Sequence, residues 1–212
     1  MEPFKTALSD TLYAGYVCFH PFAGFYDLKF VRKRSLGAAF MLLACLCLAV
    51  VLKLQLTGFL FQKGSPEDNN IPLEIAAVVL PVFFWSLTNW AITTLLDGKA
   101  NFRMIFTATV FALTPMIVIY LPTTALSCVL SLSEGVFITF LDGAAAVWSG
   151  ALLIFGLATV QEYGVFKTLY TTVLTLLAIA ALVFLASVFY SALQQLAAFV
   201  IQLKYEIQYL VR

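Results

Sequence analysis

The chain reads as an all-α, polytopic integral membrane bundle of five transmembrane helices with amphipathic helices at both termini. Two observations predict this. Hydrophobic residues make up 62% of the 212 positions and charged residues 11%, where soluble domains carry about 25% charged. Apolar runs of about 20 residues, the length a helix needs to cross lipid, recur five times. Mean hydropathy is +0.98, and a net charge of +1 argues against nucleic acid as a partner.

Residues 1–34 form an N-terminal segment. Phe4, Leu8, Leu12 and Tyr16 recur every four positions after Pro3, which predicts an amphipathic helix over 3–19. It is too short to span and is expected on the cytoplasmic membrane surface or against a partner. No cleavable leader is expected, because Glu2, Asp10 and Asp27 interrupt the first thirty residues. The sole histidine, His20, precedes a turn and reads as structural.

The five-span domain covers 35–190. Its blocks run from about Leu36 to Phe59, Leu73 to Leu96, Met104 to Leu121 or on to Leu130, Gly143 to Val160, and Thr168 to Tyr190. Ser65-Pro66-Glu67-Asp68 suits a helix start before the second block, and Asn69-Asn70 suits another. Pro81, Pro115 and Pro122 are expected to kink their helices, and Pro122 to end the third. Ser131 with Glu134 has capping-box spacing. It predicts a short helix over Leu132–Leu141, with Asp142-Gly143 as the turn into the fourth block. Ala146 and Gly150 form a small-xxx-small pair there that would permit close helix approach. Residues 191–212 form a C-terminal amphipathic helix. Ser191, Gln195, Gln202 and Glu206 share one face, and Leu196, Phe199, Leu203, Ile207 and Leu210 much of the other. A helix from Thr168 to Leu203 would be about 54 Å long against about 30 Å of hydrocarbon. Its end therefore leaves the membrane or turns along it, lying on lipid or on a partner.

Charge asymmetry sets the expected orientation. Lys5, Lys29, Arg32, Lys33, Arg34, Lys99, Arg103 and Lys167 fall on one side of the blocks, and Lys53, Lys63, Lys204 and Arg212 on the other. The positive-inside bias puts the N-terminus in the cytoplasm and, after five spans, the C-terminus outside the cell membrane. Lys53 is expected to snorkel outward.

The second block closes on the most informative stretch of the chain. Ser86, Asn89, Thr93 and Asp97 fall at i, i+3, i+7 and i+11, one face of a helix. Polar groups at membrane depth are costly unless paired. Arg103, Thr107 and Thr114 on block three, and Thr168, Thr172 and Thr175 on block five, offer facing stripes. The stripe reads as helix glue, a partner-binding face, or the lining of a polar cavity. With Trp90, Gly98, Pro115, Gln195, Gln202 and Glu206, the residues of the Ser86 and Arg103 stripes make up the candidate packing or partner site.

Catalytic chemistry has no support in the motifs. Gly-x-Ser-x-Gly, His-Glu-x-x-His and Gly-Lys-Ser/Thr are all lacking. Glu74, Asp97, Asp142 and Glu162 fall near block ends rather than as mid-membrane relays. Cys18, Cys45, Cys47 and Cys128 lack zinc-ligand spacing and read as packing residues. No catalytic residue, metal or cofactor is expected.

His20-Pro-Phe-Ala-Gly-Phe-Tyr-Asp-Leu-Lys29, Asn89-Trp-Ala-Ile-Thr-Thr-Leu-Leu-Asp-Gly-Lys99, Leu113-Thr-Pro115 and Tyr163 with Lys167 occur in that order. Together with the five-span plan they resemble the Yip membrane-protein family (the Ypt-interacting-protein domain), in its bacterial branch. The resemblance implies a protein without enzymatic activity. Eukaryotic relatives bind small GTPases and each other in Golgi and endoplasmic reticulum membranes, through a long hydrophilic N-terminal region that this chain does not show. Bacterial relatives are often encoded beside carbohydrate ABC-transporter genes. The resemblance thus points to an accessory membrane subunit, with lipid and integral membrane proteins, such as ABC permease subunits, as partners. A histidine common in the family before the tyrosine of the fourth loop is Glu162 here. A small transporter or channel with a polar intramembrane cavity stands as the alternative.

Overall fold

The computed structural model describes residues 2–31, 36–61 and 70–210, with side chains given for all of these except 2–9, 200 and 203–210. The described residues are helical throughout, with no strand. The helices are α1 (Glu2–Phe19), α2 (Pro21–Phe30), α3 (Leu36–Leu56), α4 (Ile71–Leu95), α5 (Phe102–Ala112), α6 (Thr114–Ser127), α7 (Gly135–Gln161) and α8 (Val165–Leu210). Five stretches are long and apolar enough to cross a membrane: α3, α4, α5 with α6, the run from Leu132 through α7, and α8 as far as Phe199. The expected spans are therefore present. The helix start read at Ser65–Asp68 lies outside the described residues, as do Arg32, Lys33, Arg34, Lys63 and Arg212 and the side chains of Phe4, Leu8, Lys204 and Glu206. Asn70 caps α4 instead, its side-chain oxygen accepting the Leu73 N–H at 3.3 Å.

Helix α7 sits at the middle of the bundle, against α2, α5, α6 and α8. Val17, Phe25, Leu42, Val82, Phe106, Phe111, Leu152 and Val160 meet in one apolar core. The face of α7 turned to that core carries Ala145, Ser149, Leu152 and Gly156. Ala146 and Gly150 point away from it, so the small-xxx-small pair packs nothing here.

The N-terminal segment departs from expectation. It packs within the bundle rather than along its surface. Chain direction reverses at His20, whose imidazole stacks on Tyr16 at 4.6 Å. The Tyr13 hydroxyl donates to Asp27 at 2.8 Å, and a Cβ at Gly24 would meet the Val17 backbone at 2.9 Å. α1 and α2 are thus an antiparallel hairpin whose close approach glycine permits. α2 runs along α7, with Phe22 on Phe155 and Lys29 on the Val160 carbonyl. At the tip, the Trp148 indole N–H donates to the Cys18 carbonyl at 3.3 Å. Trp148 is about 20 Å from the end of α7 at 1.5 Å per residue, so the hairpin reaches half-way through the span. Burial of Ala14, Val17, Phe25 and Leu28 is what an intramolecular site offers over the lipid surface.

Other boundaries differ too. The third span breaks at Leu113, with Pro115 in the first turn of α6, while Pro122 lies inside α6 without ending it. Proline is tolerated in a first turn, where its missing N–H has no intrahelical partner, and that favours the Thr114-Pro115 site. Ser131 and Glu134 do form the capping contact, the Ser131 amide donating to the Glu134 carboxylate at 2.9 Å. They cap one 3₁₀ turn leading into α7, which runs unbroken through Asp142-Gly143. The expected turn is absent because a glycine in a helix interior costs only about 1 kcal/mol, which the packing of α7 on four helices outweighs, and Asp142 is paired. Its carboxylate meets Lys53 at 2.6 Å, so Lys53 turns inward instead of snorkelling outward. Finally, α8 continues through Tyr190 and Ser191 as one helix of 46 residues.

Candidate functional site at the basic end of the bundle

α4 and α7 end, and α5 and α8 begin, at the same end as Lys29. Ser86, Asn89 and Thr93 lie on the inner face of α4 and are buried to 1% exposure or less. Ser86 donates to its own helix, to the Val82 carbonyl at 2.8 Å. Asn89 reaches across to α8, its amide donating to the Thr175 hydroxyl at 3.1 Å. Thr93 donates to the Asn89 carbonyl at 2.7 Å and accepts from the Gln161 side-chain amide at 2.8 Å. The other end of that amide accepts the Ala100 N–H at 3.1 Å. Gln161 therefore joins α4, the α4–α5 turn and α7, though it had no place in the sequence stripe. Its signal was the polar run Gln161-Glu162-Tyr163 closing an apolar block.

Asp97 is not on the face. α4 stops at Leu95, and Asp97 is exposed with a left-handed φ of 58°. The Thr93 carbonyl accepts from Leu96 at 3.1 Å and from Gly98 at 2.7 Å, closing the helix. The i+11 spacing fails because Asp-Gly is a helix-ending pair. Gly98 lies so close to Gln161 that a Cβ there would stand 2.5 Å from its side-chain oxygen. Trp90 is on the outer side, 39% exposed, with its ring 6.3 Å from Phe102.

The freed carbonyl of Leu96 is held from the α7–α8 turn and from α8. The Tyr163 hydroxyl and the Lys167 ammonium both donate to it at 2.8 Å. Glu162, also left-handed at φ 57°, accepts from Lys29 at 2.8 Å and from Lys99 at 2.5 Å. The two ammonium groups hold its carboxyl down at about 2. Lys29 is buried and donates also to the Val160 carbonyl at 2.7 Å. Burial, with Asp97 nearby, pushes the Tyr163 phenol up.

On block five Thr168 and Thr175 are on the buried face as expected, with Thr171 in the place of Thr172. Thr168, Thr171 and Thr175 are buried at 2% exposure or less, while Thr172 is off the face with its hydroxyl unpartnered. The stripe expected on block three does not face Asn89. Arg103 and Thr107 line a separate cavity of about 220 Å³ with Phe25, Lys29, Asn101 and Met104. Thr114 is buried at the α5–α6 break and donates to the Phe111 carbonyl at 2.7 Å. Pro115 is buried beside it. Gln195 and Gln202 are exposed on α8, far along the chain from this cluster. Toward the opposite end, Lys53, Tyr120, Thr123, Thr139 and Asp142 line a cavity of about 490 Å³. Among the described residues, no group of His, Cys, Asp and Glu could hold a metal ion.

A family model for the Yip1 domain matches residues 14–189. The chain belongs to the Yip1 domain family. No curated protein and no solved structure matches it. The Yip1 match takes in the last third of α1, all of α2 and every polar contact of the basic end. It stops at Phe189, so Gln195, Gln202 and Glu206 fall beyond the Yip1 domain. The Yip1 domain and the apolar helices together make this a multi-pass membrane protein.

Proposed function

We propose that this Yip1-domain protein is a non-enzymatic accessory or scaffold protein that binds other integral membrane proteins. One observation carries the reading. From Ala180 through Gln202 every described side chain of α8 is exposed, and none of residues 71–81 of α4 is buried. At 46 residues α8 is about 69 Å long, more than twice the hydrocarbon thickness of about 30 Å. Among the described residues, only its first turns pack on the rest of this chain. A helix that outruns the bilayer and its own bundle offers Leu185, Phe189 and Leu193 to a neighbouring helix. The N-terminus would be cytoplasmic and the C-terminus outside the cell membrane, because the basic end should face the cytoplasm. Permease subunits of a carbohydrate ABC transporter are the partner we favour, on the gene neighbourhood of bacterial members the chain resembles.

A photo-crosslinking residue at Leu185 or Phe189, in native membranes, should yield discrete adducts with another membrane protein. The same residue at Leu48 on α3, also exposed, should not. Lipid adducts alone at all three positions would refute the reading. A second reading, a small transporter, has the cavity around Lys53 and Asp142 in its favour. Flux in proteoliposomes that Asp142→Asn abolishes would support it.

A further inference from the structure

The cavity beside Arg103 has features that neither helix packing nor partner binding uses. We infer that it binds a phosphate ester of net negative charge, as found in an anionic phospholipid headgroup or a soluble phosphate ester. Its polar lining is Lys29, Asn101, Arg103 and Thr107, and among the described residues no acidic side chain lines it. Glu162 is shared between Lys29 and Lys99, so these three groups keep one net positive charge. Arg103 adds a second. Its guanidinium is exposed and makes no ion pair or side-chain hydrogen bond among the described residues. An arginine of this kind suits bidentate recognition of phosphate oxygens. Lys29 spends two of its three ammonium protons on Val160 and Glu162, which fixes the group in place with one donor left.

The backbone adds to this. α5 begins at Phe102, and the Asn101 side chain does not cap it. The Met104 N–H donates to the Asn101 carbonyl at 2.9 Å, which leaves the Arg103 amide, at a residue lining the cavity, as the helix-start donor where an anion is favoured. The remaining walls are Phe25, Leu28, Leu36, Met104, Ala108 and Val160. A volume of about 220 Å³ equals about seven waters at liquid density, room for a headgroup and not for a large solute. Basic pockets between transmembrane helices at one membrane face take anionic headgroups in this way.

The test uses the purified full chain in nonionic detergent and native mass spectrometry, titrating dioleoylphosphatidylglycerol and dioleoylphosphatidylcholine. The wild type should retain one phosphatidylglycerol in preference to phosphatidylcholine. Arg103→Gln should weaken that binding about tenfold, the loss of one charge-assisted hydrogen bond pair. Thr107→Phe should do the same by filling the cavity from a half-exposed position, with the charge intact. Glycerol 3-phosphate and inorganic phosphate at millimolar concentration separate the sources. Displacement of the lipid by either, lost in Arg103→Gln, assigns the site to a soluble phosphate. Retention of the lipid against both assigns it to the phospholipid. Equal retention of the two lipids by the wild type would overturn the inference. So would unchanged phosphatidylglycerol binding in both variants.

Discussion

Gln161→Leu should destabilise the bundle by about 2 kcal/mol. The amide group joins three elements through two bonds, to Ala100 N–H and to the Thr93 hydroxyl. Leucine has similar bulk but serves neither. The Ala100 amide, at 6% exposure, would lose its acceptor, and a buried donor without a partner costs about 1–3 kcal/mol. The bond to Thr93 adds about 0.6 kcal/mol, the average for side-chain hydrogen bonds between helices in lipid. Thr93 keeps its own proton on the Asn89 carbonyl, so its loss is only of a donor. Reversible unfolding in mixed micelles, read by circular dichroism, measures the change as about a 30-fold shift in the folded ratio. A double-mutant cycle with Thr93→Ala should return a coupling near 0.6 kcal/mol, leaving the Ala100 contribution in Gln161→Leu alone. A loss below about 0.5 kcal/mol for Gln161→Leu would refute the bridging role.

Three further outcomes follow from the same geometry. Glu162 titrates at about 2 in place of 4.5 because Lys29 and Lys99 donate to it. A depressed carboxyl stabilises fully above its unfolded value and loses that contribution as pH falls toward its folded one. Stability should therefore be insensitive to this group from pH 7 to 5 and drop below 4.5, and Glu162→Gln should flatten that acid limb in a pH series of melting curves. Gly98→Ala places a methyl 2.5 Å from the Gln161 oxygen and 2.8 Å from the Thr93 carbonyl. It should cost about 1–3 kcal/mol, and a melting temperature equal to wild type would contradict the packing. Lys53→Met should cost about 2 kcal/mol by leaving the short Asp142 side chain unpaired at membrane depth. Asp142→Leu should cost less, since a lone lysine can snorkel, and denaturant titration showing the reverse order would refute the inward Lys53 geometry.

What the sequence made legible was whatever periodicity and length control. The five spans, the Ser86–Asn89–Thr93 face and the proline break before α6 all follow from local rules. Asp97 was misplaced because the same periodicity was carried through a helix end that Asp-Gly announces. Gln161 was missed because its partners lie 61 and 68 positions away, and the local polar run Gln161-Glu162-Tyr163 marks a block end without naming those partners. The α1–α2 hairpin was hidden for a related reason. Its apolar spacing is equally consistent with a lipid surface and with a protein groove, and only the Gly24–Val17 approach and the Trp148 contact decide between them. Lys53 and Asp142 each had a reasonable reading alone, snorkelling and block end. Their pairing at 2.6 Å is a property of two helices and of neither sequence segment.

The distribution of polar contacts divides α8 into a held end and a free one. In lipid, apolar faces gain little by leaving acyl chains for one another, so polar bonds and close packing decide which helices stay together. Here Asn89–Thr175, Thr93–Gln161, Leu96 with Tyr163 and Lys167, and the Lys29–Glu162–Lys99 group all lie at the basic end. Among the described residues, no such bond joins α4 to α8 before Asn89 or after Thr175. α8 is therefore held by its first three turns and unsupported beyond them. Past Thr175 the threonine spacing does not continue. The chain instead supplies Ala180, Ala181, Leu182, Val183, Phe184 and Leu185, apolar all round, which commits that length of helix to lipid or to a helix from another protein.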